Sequence, residues 1–169
     1  RKTLYLSKRD FISLEEEIEF LEAYLKLEKL RFEDHFNSVI EVDPQLNPSD
    51  VLVPSLLIQP FIENAINHGL KFLKNKNGEL KVSFLKTNDT LEVIITDNGI
   101  GMEHARQFKE SKHSTHFSQG MALASGRIEV INKIYKSSIS FSVDALDSSN
   151  TEYPGTKILI FIPIKPNLP

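Results

Sequence analysis

The sequence predicts an α+β fold, a two-layer α/β sandwich whose mixed sheet of about five strands is covered on one face by about three helices. Three observations carry this expectation: three segments with helical apolar periodicity, one pair of alternating segments joined by a polar turn, and two β-branched runs near the C-terminus. The 169 residues suit one domain and are enough to bury a core without staples. A 40% hydrophobic and 25% charged composition is that of a globular chain and excludes disorder as the main state. With no cysteine, disulfides, thiolate metal sites and cysteine nucleophiles are excluded. Twenty Lys and Arg against 23 Asp and Glu give a net charge of −3, which argues against a nucleic-acid partner. The longest apolar stretch, Val51 to Ile62, is broken by Pro54, Ser55, Gln59 and Pro60, so no membrane helix is expected. The chain begins at Arg1 rather than Met and shows no signal peptide, so we expect a piece of a longer protein.

Residues 1–12 carry no pattern of their own. Ser13-Leu14-Glu15-Glu16 then reads as a capping box, with Glu16 three positions beyond the cap. The helix it opens runs to about Phe32, its stripe built on Ile18, Leu21 and Leu25 and widened by Phe20, Tyr24 and Leu27. Glutamates 15, 16, 17 and 19 at its start and Lys26, Lys29 and Arg31 near its end suit the helix dipole. Val39, Ile40 and Val42 mark a strand over 36–43. A Pro/Asn/Ser/Asp loop leads to a second helix between about Pro54 and Gly69, in which Pro60 demands a kink or a later start. The alternation of Leu80, Val82 and Phe84, a turn at Thr87-Asn88-Asp89, and Leu91, Val93, Ile94 and Ile95 read as a hairpin ending at Asp97. Residues 103–119 have almost no apolar content, the composition of a functional loop or lid. A third helix follows over about Met121–Tyr135, then strands over Ile139–Ala145 and Lys157–Pro163.

Three segments could carry chemistry. On an α-helix, Asn64, Asn67 and His68 share one face at i, i+3 and i+4, apart from the apolar stripe of Ile58, Ile62, Ala65 and Ile66. A carboxamide oxygen there suits Mg²⁺, which takes hard oxygen ligands and keeps waters and substrate phosphates. Taken alone, the same row fits a solvent-facing strip at a helix end. Asp97-Asn98-Gly99-Ile100-Gly101-Met102 directly follows a strand, so its carboxylate can accept from an exocyclic amine while the glycines admit a flat ligand. Taken alone, it fits an ordinary Asp-Asn-Gly turn. No third glycine makes it a dinucleotide fingerprint, and there is no P-loop. Gly155-Thr156-Lys157 before the last apolar run reads, by itself, as a loop glycine and a strand start.

In this order, the segments resemble the ATP-binding domain of the GHKL (Bergerat-fold) superfamily, and more narrowly the LytS-type sensor histidine kinases. Ser13–Glu17, Tyr24–Glu28 and Arg31-Phe32 resemble the leader of that family. Val53–Gly69 resembles its N box, Asp97–Met102 its G1 box, Ser118–Met121 with Arg127-Ile128 its G2 region, and Gly155–Ile164 its G3 box. The resemblance implies a helical linker over 1–35 from a missing dimerisation and phospho-acceptor region, and an ATP-binding catalytic domain over 36–169 with its lid at 103–119. It implies ATP and Mg²⁺ as cofactors. Asn64 would hold the metal, with Asn67 and His68 near the phosphates. Asp97 would accept the adenine amine, beside Gly99, Ile100, Gly101 and Met102, and Thr156 would support the base. Gly120 and Met121 would close the lid over the phosphates. Glu63, beside Asn64, is a second catalytic candidate, as a base.

The implied reaction moves the γ-phosphoryl group of ATP to a histidine, for relay to a response regulator. None of His35, His68, His104, His113 and His116 has the Pro-His-Phe context of the acceptor, which places that histidine outside this chain. The implied partners are ATP, the kinase's own dimerisation domain in a homodimer, and the response regulator. The implied location is the cytoplasmic side of a protein anchored in the inner membrane. Two positions depart from the pattern: Asn67 stands where relatives often have lysine, and Ala122 where they often have a second lid glycine. These favour an alternative, a non-catalytic nucleotide-binding sensor or docking module of the same fold.

Overall fold

A computed structural model describes residues 9–33, 35–73, 78–101, 116–150 and 152–164, with backbone alone for 116–120. In chain order the elements are strand β1 (Phe11–Ser13), helix α1 (Leu14–Arg31), β2 (Phe36–Val42), β3 (Leu52–Pro54), α2 (Gln59–Asn64), β4 (Gly78–Thr87), β5 (Thr90–Asp97), α3 (His116–Tyr135), β6 (Ser140–Ala145) and β7 (Thr156–Pro163). Five strands form one sheet in the order β2-β4-β5-β7-β6. β2 runs parallel to β4 and the other pairs are antiparallel, so the sheet is mixed as expected. The parallel pair requires a crossover, and the segment with α2 supplies it.

Period-2 alternation places one face of the central strands in the core. Leu80, Val82 and Phe84 of β4, Leu91, Val93 and Ile95 of β5, and Ile158, Ile160 and Ile162 of β7 are all buried. The helices cover that face with Leu21 and Leu25 of α1, Phe61 and Ile62 of α2, and Ala124, Ile128 and Ile131 of α3. α1 is thus packed into the same core as the sheet.

The helix limits follow from local chemistry. Ser13 accepts from the Glu16 amide at 3.2 Å, and the Glu16 carboxylate accepts from the Ser13 amide at 3.0 Å, which completes the predicted capping box. α2 begins at Gln59, not near Pro54, because Pro60 is tolerated only in a first turn; Pro54 itself belongs to β3. α3 begins at His116, five residues before the expected Met121, so residues 116–119 of the predicted lid are helical. Gly120 costs a helix interior only about 1 kcal/mol, too little to stop it there. Beyond α3, the Asn132 carboxamide donates to the Ile139 carbonyl at 2.8 Å and accepts from its amide at 2.9 Å, which locks the turn into β6.

One ribbon was not legible in the sequence. β1 pairs antiparallel with β3, Phe11 opposite Pro54. The Ser55 hydroxyl donates to the Arg9 carbonyl at 2.6 Å and accepts from Arg127 of α3 at 3.3 Å. Tyr135 at the end of α3 donates to Asp10 at 2.5 Å, and its ring meets Phe11 edge-on at 4.8 Å. The N-terminal strand is therefore stapled to both β3 and α3.

Under this ribbon lies Glu17 of α1, fully buried. One of its oxygens accepts from the Leu56 amide at 3.3 Å, and Oε1 has no hydrogen-bond partner. Burial pushes its carboxyl up to about 7, against the pull of the Leu56 and Ile58 amides and of Arg127. The protonated form is the one folding favours, so Glu17 destabilises the fold as pH rises from the ordinary carboxylate range through about 7. Glu17→Gln should raise the melting temperature at about pH 8, by the equivalent of about 1–3 kcal/mol, and change it little at about pH 5. Thermal unfolding across that range checks this; an equal effect at both pH values would contradict it.

Candidate functional site

The alternation that builds the core also delivers the site. The buried row of β5 runs Leu91, Val93, Ile95 and ends on Asp97. The buried row of β7 begins on Thr156 and continues through Ile158 and Ile160. Asp97 and Thr156 are register partners on adjacent strands, both aimed into the helix layer. Asp97 is 2% exposed. Burial pushes its carboxyl up to about 7, offset in part by hydrogen bonds from the Gly99 amide and the Thr156 hydroxyl. The Gly99 amide lies 2.9 Å from Oδ1. A carboxylate in so apolar a place is a strong acceptor for an N–H donor that comes with its own dry surface.

Glycines make room for it. A Cβ on Gly69 would lie 2.6 Å from Asp97 Oδ1, and one on Gly99 would lie 2.4 Å from the Gly69 backbone. Gly155, at φ +63°, would drive a Cβ to 2.3 Å from the Asp97 carbonyl. Backbone bonds stitch the three together: the Ile100 amide donates to the Gly69 carbonyl at 3.4 Å and the Gly155 amide to the Gly99 carbonyl at 3.0 Å. Segments far apart in sequence thus meet backbone to backbone around one carboxyl group. The sequence marked Gly69 only as a helix end and Gly155 only as a loop glycine; their packing role had no local signal.

The asparagine row differs from the expected α-helix. The chain is α-helical through Asn64, then widens into a π-helical turn over Ala65–Gly69 and closes with a 3₁₀ turn over Leu70–Phe72. A π turn bonds i to i+5 and rotates less per residue, so the i, i+3, i+4 spacing no longer describes one α-helical face; such turns recur at functional sites. Asn64 is buried, and its Nδ2 has no hydrogen-bond partner among the described residues. Asn67 and His68 are half-buried. The Asn67 carboxamide oxygen accepts from Arg31 of α1 at 3.1 Å. Glu63 accepts from Gln59 at 2.6 Å, one turn back on the same helix.

An unpaired buried carboxamide suits a hard cation. Swapping its oxygen and nitrogen by rotation puts an oxygen in the orphaned position. Among the described residues no group of three His, Cys, Asp or Glu could hold a metal, and Asn64 offers an amide ligand there. That is the donor set Mg²⁺ accepts when phosphates and waters complete it.

Of the other predicted residues, Ile100 is buried and Gly101 holds a turn at φ +72°. Gly120 lies within α3, and Met121 packs half-buried against the core. Met102 and residues 103–115 of the expected lid lie outside the described residues. So do residues 74–77.

Residues 50–166 match the family of histidine kinase-, DNA gyrase B- and HSP90-like ATPases. The chain belongs to that family. Residues 1–36 of this ATPase-family chain match a second family, described as histidine kinase. The sensor protein LytS of Staphylococcus saprophyticus is 32% identical over 163 residues, 96% of this chain and 26% of that protein. LytS of Oceanobacillus iheyensis is 35% identical over 103 residues, 61% of this chain and 17% of that protein. The chain thus spans about a quarter or less of the length of these relatives. Among solved structures, the mycobacterial sensor histidine kinase MprB superposes with a TM-score of 0.58 at 20% identity, covering 93% of this chain and 98% of that one. The catalytic domain of histidine kinase ThkA gives 0.54 at 20% identity, covering 92% and 95%. Both likenesses are of fold. No helix among the described residues of this ATPase-family domain is long and apolar enough to cross a membrane.

The glycine contacts make a paired prediction. Gly99→Ala puts a methyl group into the Gly69 backbone and should destabilise the domain by about 3 kcal/mol or more. Gly126→Ala on α3, where a Cβ meets nothing within 4 Å, should stabilise it by about 0.5–1 kcal/mol. Urea unfolding of the two variants beside the parent measures both.

Proposed function

We propose that this chain is the ATP-binding catalytic domain of a LytS-type sensor histidine kinase, passing the γ-phosphoryl group of ATP to a histidine outside the chain. The observation that carries the reading is Asp97: a buried carboxylate, paired to Thr156 and packed against glycine backbone. That arrangement suits a flat base with an exocyclic amine, which donates to the carboxylate while its ring displaces water from the glycine surface. Gly99, Ile100 and Gly101 would wall the base beyond Asp97, and Met102 is assigned to the same role.

Asn64 is the residue that would hold Mg²⁺, with the triphosphate running from the base toward Asn64, Asn67 and His68. The ion supplies charge neutralisation at the phosphates. The chain's own work is positioning: Asp97 and Thr156 fix the base, the Asn64 end of α2 fixes the phosphates, and Gly120 and Met121 bring the lid down to exclude water. Glu63 is assigned, as a base, to the histidine that receives the phosphoryl group. A response regulator then takes that group on an aspartate. In the full-length homodimer this domain would lie on the cytoplasmic side of an anchored protein.

Calorimetric titration tests the reading. Asp97→Ala removes a charge-assisted hydrogen bond and should weaken adenosine and ATP alike by about 10- to 150-fold. Wild-type affinity in that variant would end the adenine assignment. Asn64→Ala should leave adenosine unchanged and abolish the Mg²⁺ dependence of ATP binding.

The raised Asp97 carboxyl adds a pH signature. Adenosine needs the ionised form, so its affinity should climb as pH rises through about 7 and level off above, with proton release on binding below that point. Adenosine is the probe because it lacks titrating phosphates. A pH-independent affinity would contradict the role of Asp97.

A further inference from the structure

The phosphate end of the site has two asparagines, and Gln59 to Leu70 contains no lysine or arginine, whereas a triphosphate carries several negative charges. The missing cation comes from elsewhere. Arg31 is the last residue of α1, within the segment that matches the second family, and its guanidinium donates to Asn67 at 3.1 Å across 36 residues of sequence. We infer that Arg31 of the leader helix is a phosphate-binding residue of the nucleotide site, supplying from α1 the charge that the α2 segment lacks. This rests on the proposed ATP-binding reading and extends it to a residue outside the ATPase-family segment.

Three contacts hold the guanidinium in place. Glu28, one turn back and nearly buried, accepts from Nη1 at 3.3 Å. Asn67 accepts from Nη2. The Phe32 ring lies 4.8 Å from the guanidinium carbon. Glu28 and Asn67 take two of the five N–H donors among the described residues, and the side chain remains 57% exposed. A planar fork with open donors, fixed on three sides, is preorganised for phosphate oxygens. Its location follows from Asn67. Asn67 lies in the π turn that directly follows Asn64, which brings Arg31 beside the segment that carries the proposed metal ligand. Glu28 balances part of the charge without burying the rest. The role gives Asn67 a purpose that a lysine would not serve: its oxygen orients the arginine.

Titration of this chain with adenosine, ADP and ATP separates a phosphate ligand from a helix clamp. Arg31→Gln keeps an N–H donor for Asn67 and removes the charge. It should weaken ATP by about tenfold, ADP by less, and adenosine by less than about twofold. Arg31→Lys should recover most of the ATP loss, because a point charge still reaches phosphate. The ATP affinity of the parent should also fall more steeply with salt than that of Arg31→Gln. Equal losses for adenosine and ATP would show that Arg31 only ties α1 to the π turn, and no loss for either would remove it from the site; each overturns the inference while the ATP reading stands. A parent chain that binds neither adenosine nor ATP overturns the ATP reading, and this inference with it.

Discussion

Much of this structure is organised around one costly placement, a carboxyl group set at the end of an apolar row. Strand β5 points Leu91, Val93 and Ile95 into the core and, by the same two-residue period, points Asp97 there too. The burial penalty shows in the raised Asp97 carboxyl. It is tolerated because the Gly99 amide and Thr156 hydroxyl donate to the group, and because Gly69 and Gly155 let backbone close in where any side chain would collide. The strand register, the hairpin, the end of the second helix and the last strand must all be in place for that pocket to exist.

A second constraint lies at the other end of the helix layer. Glu17 is buried beneath the turn that starts α2, and the ribbon above it joins the entering chain to α3 through Ser55, Arg127 and Tyr135. Neither buried carboxylate is neutralised by a close ion pair; each is held by backbone amides or a hydroxyl. Such groups make stability depend on pH in the same direction, falling toward alkaline pH. In Asp97 the cost falls on the residue to which the proposed function assigns the base. In Glu17 it leaves an anchor between α1 and α2, so the leader helix is a working wall of the domain.

The π turn over Ala65–Gly69 links these two ends. It holds both Gly69, which packs against Asp97, and Asn67, whose oxygen accepts from Arg31. Residues 1–36 and 50–166 match separate families, and the Arg31–Asn67 bond crosses between them.

Elements that depend on local patterning were legible in the sequence. The capping box at Ser13 and Glu16 and the hairpin around Asn88 appear where local patterning puts them, while the second helix is α-helical only over Gln59–Asn64 and Leu27 of the first stripe is exposed. Asn64 stood out in a polar row beside an apolar stripe and Asp97 in a glycine-rich turn directly after a strand, whereas Thr156 was marked only by the resemblance to the family. What only the tertiary structure decided depends on contacts between distant segments. The β1–β3 ribbon pairs three-residue strands that have no pattern alone, and the burial of Glu17 requires α2 to close over it. The π turn, the approach of Gly69 to Asp97 and the reach of Arg31 to Asn67 likewise arise only on packing. The sequence by itself determined which residues face inward, because the periods of helix and strand are local. Packing decided which of them meet, because that depends on surfaces brought together only when the core closes.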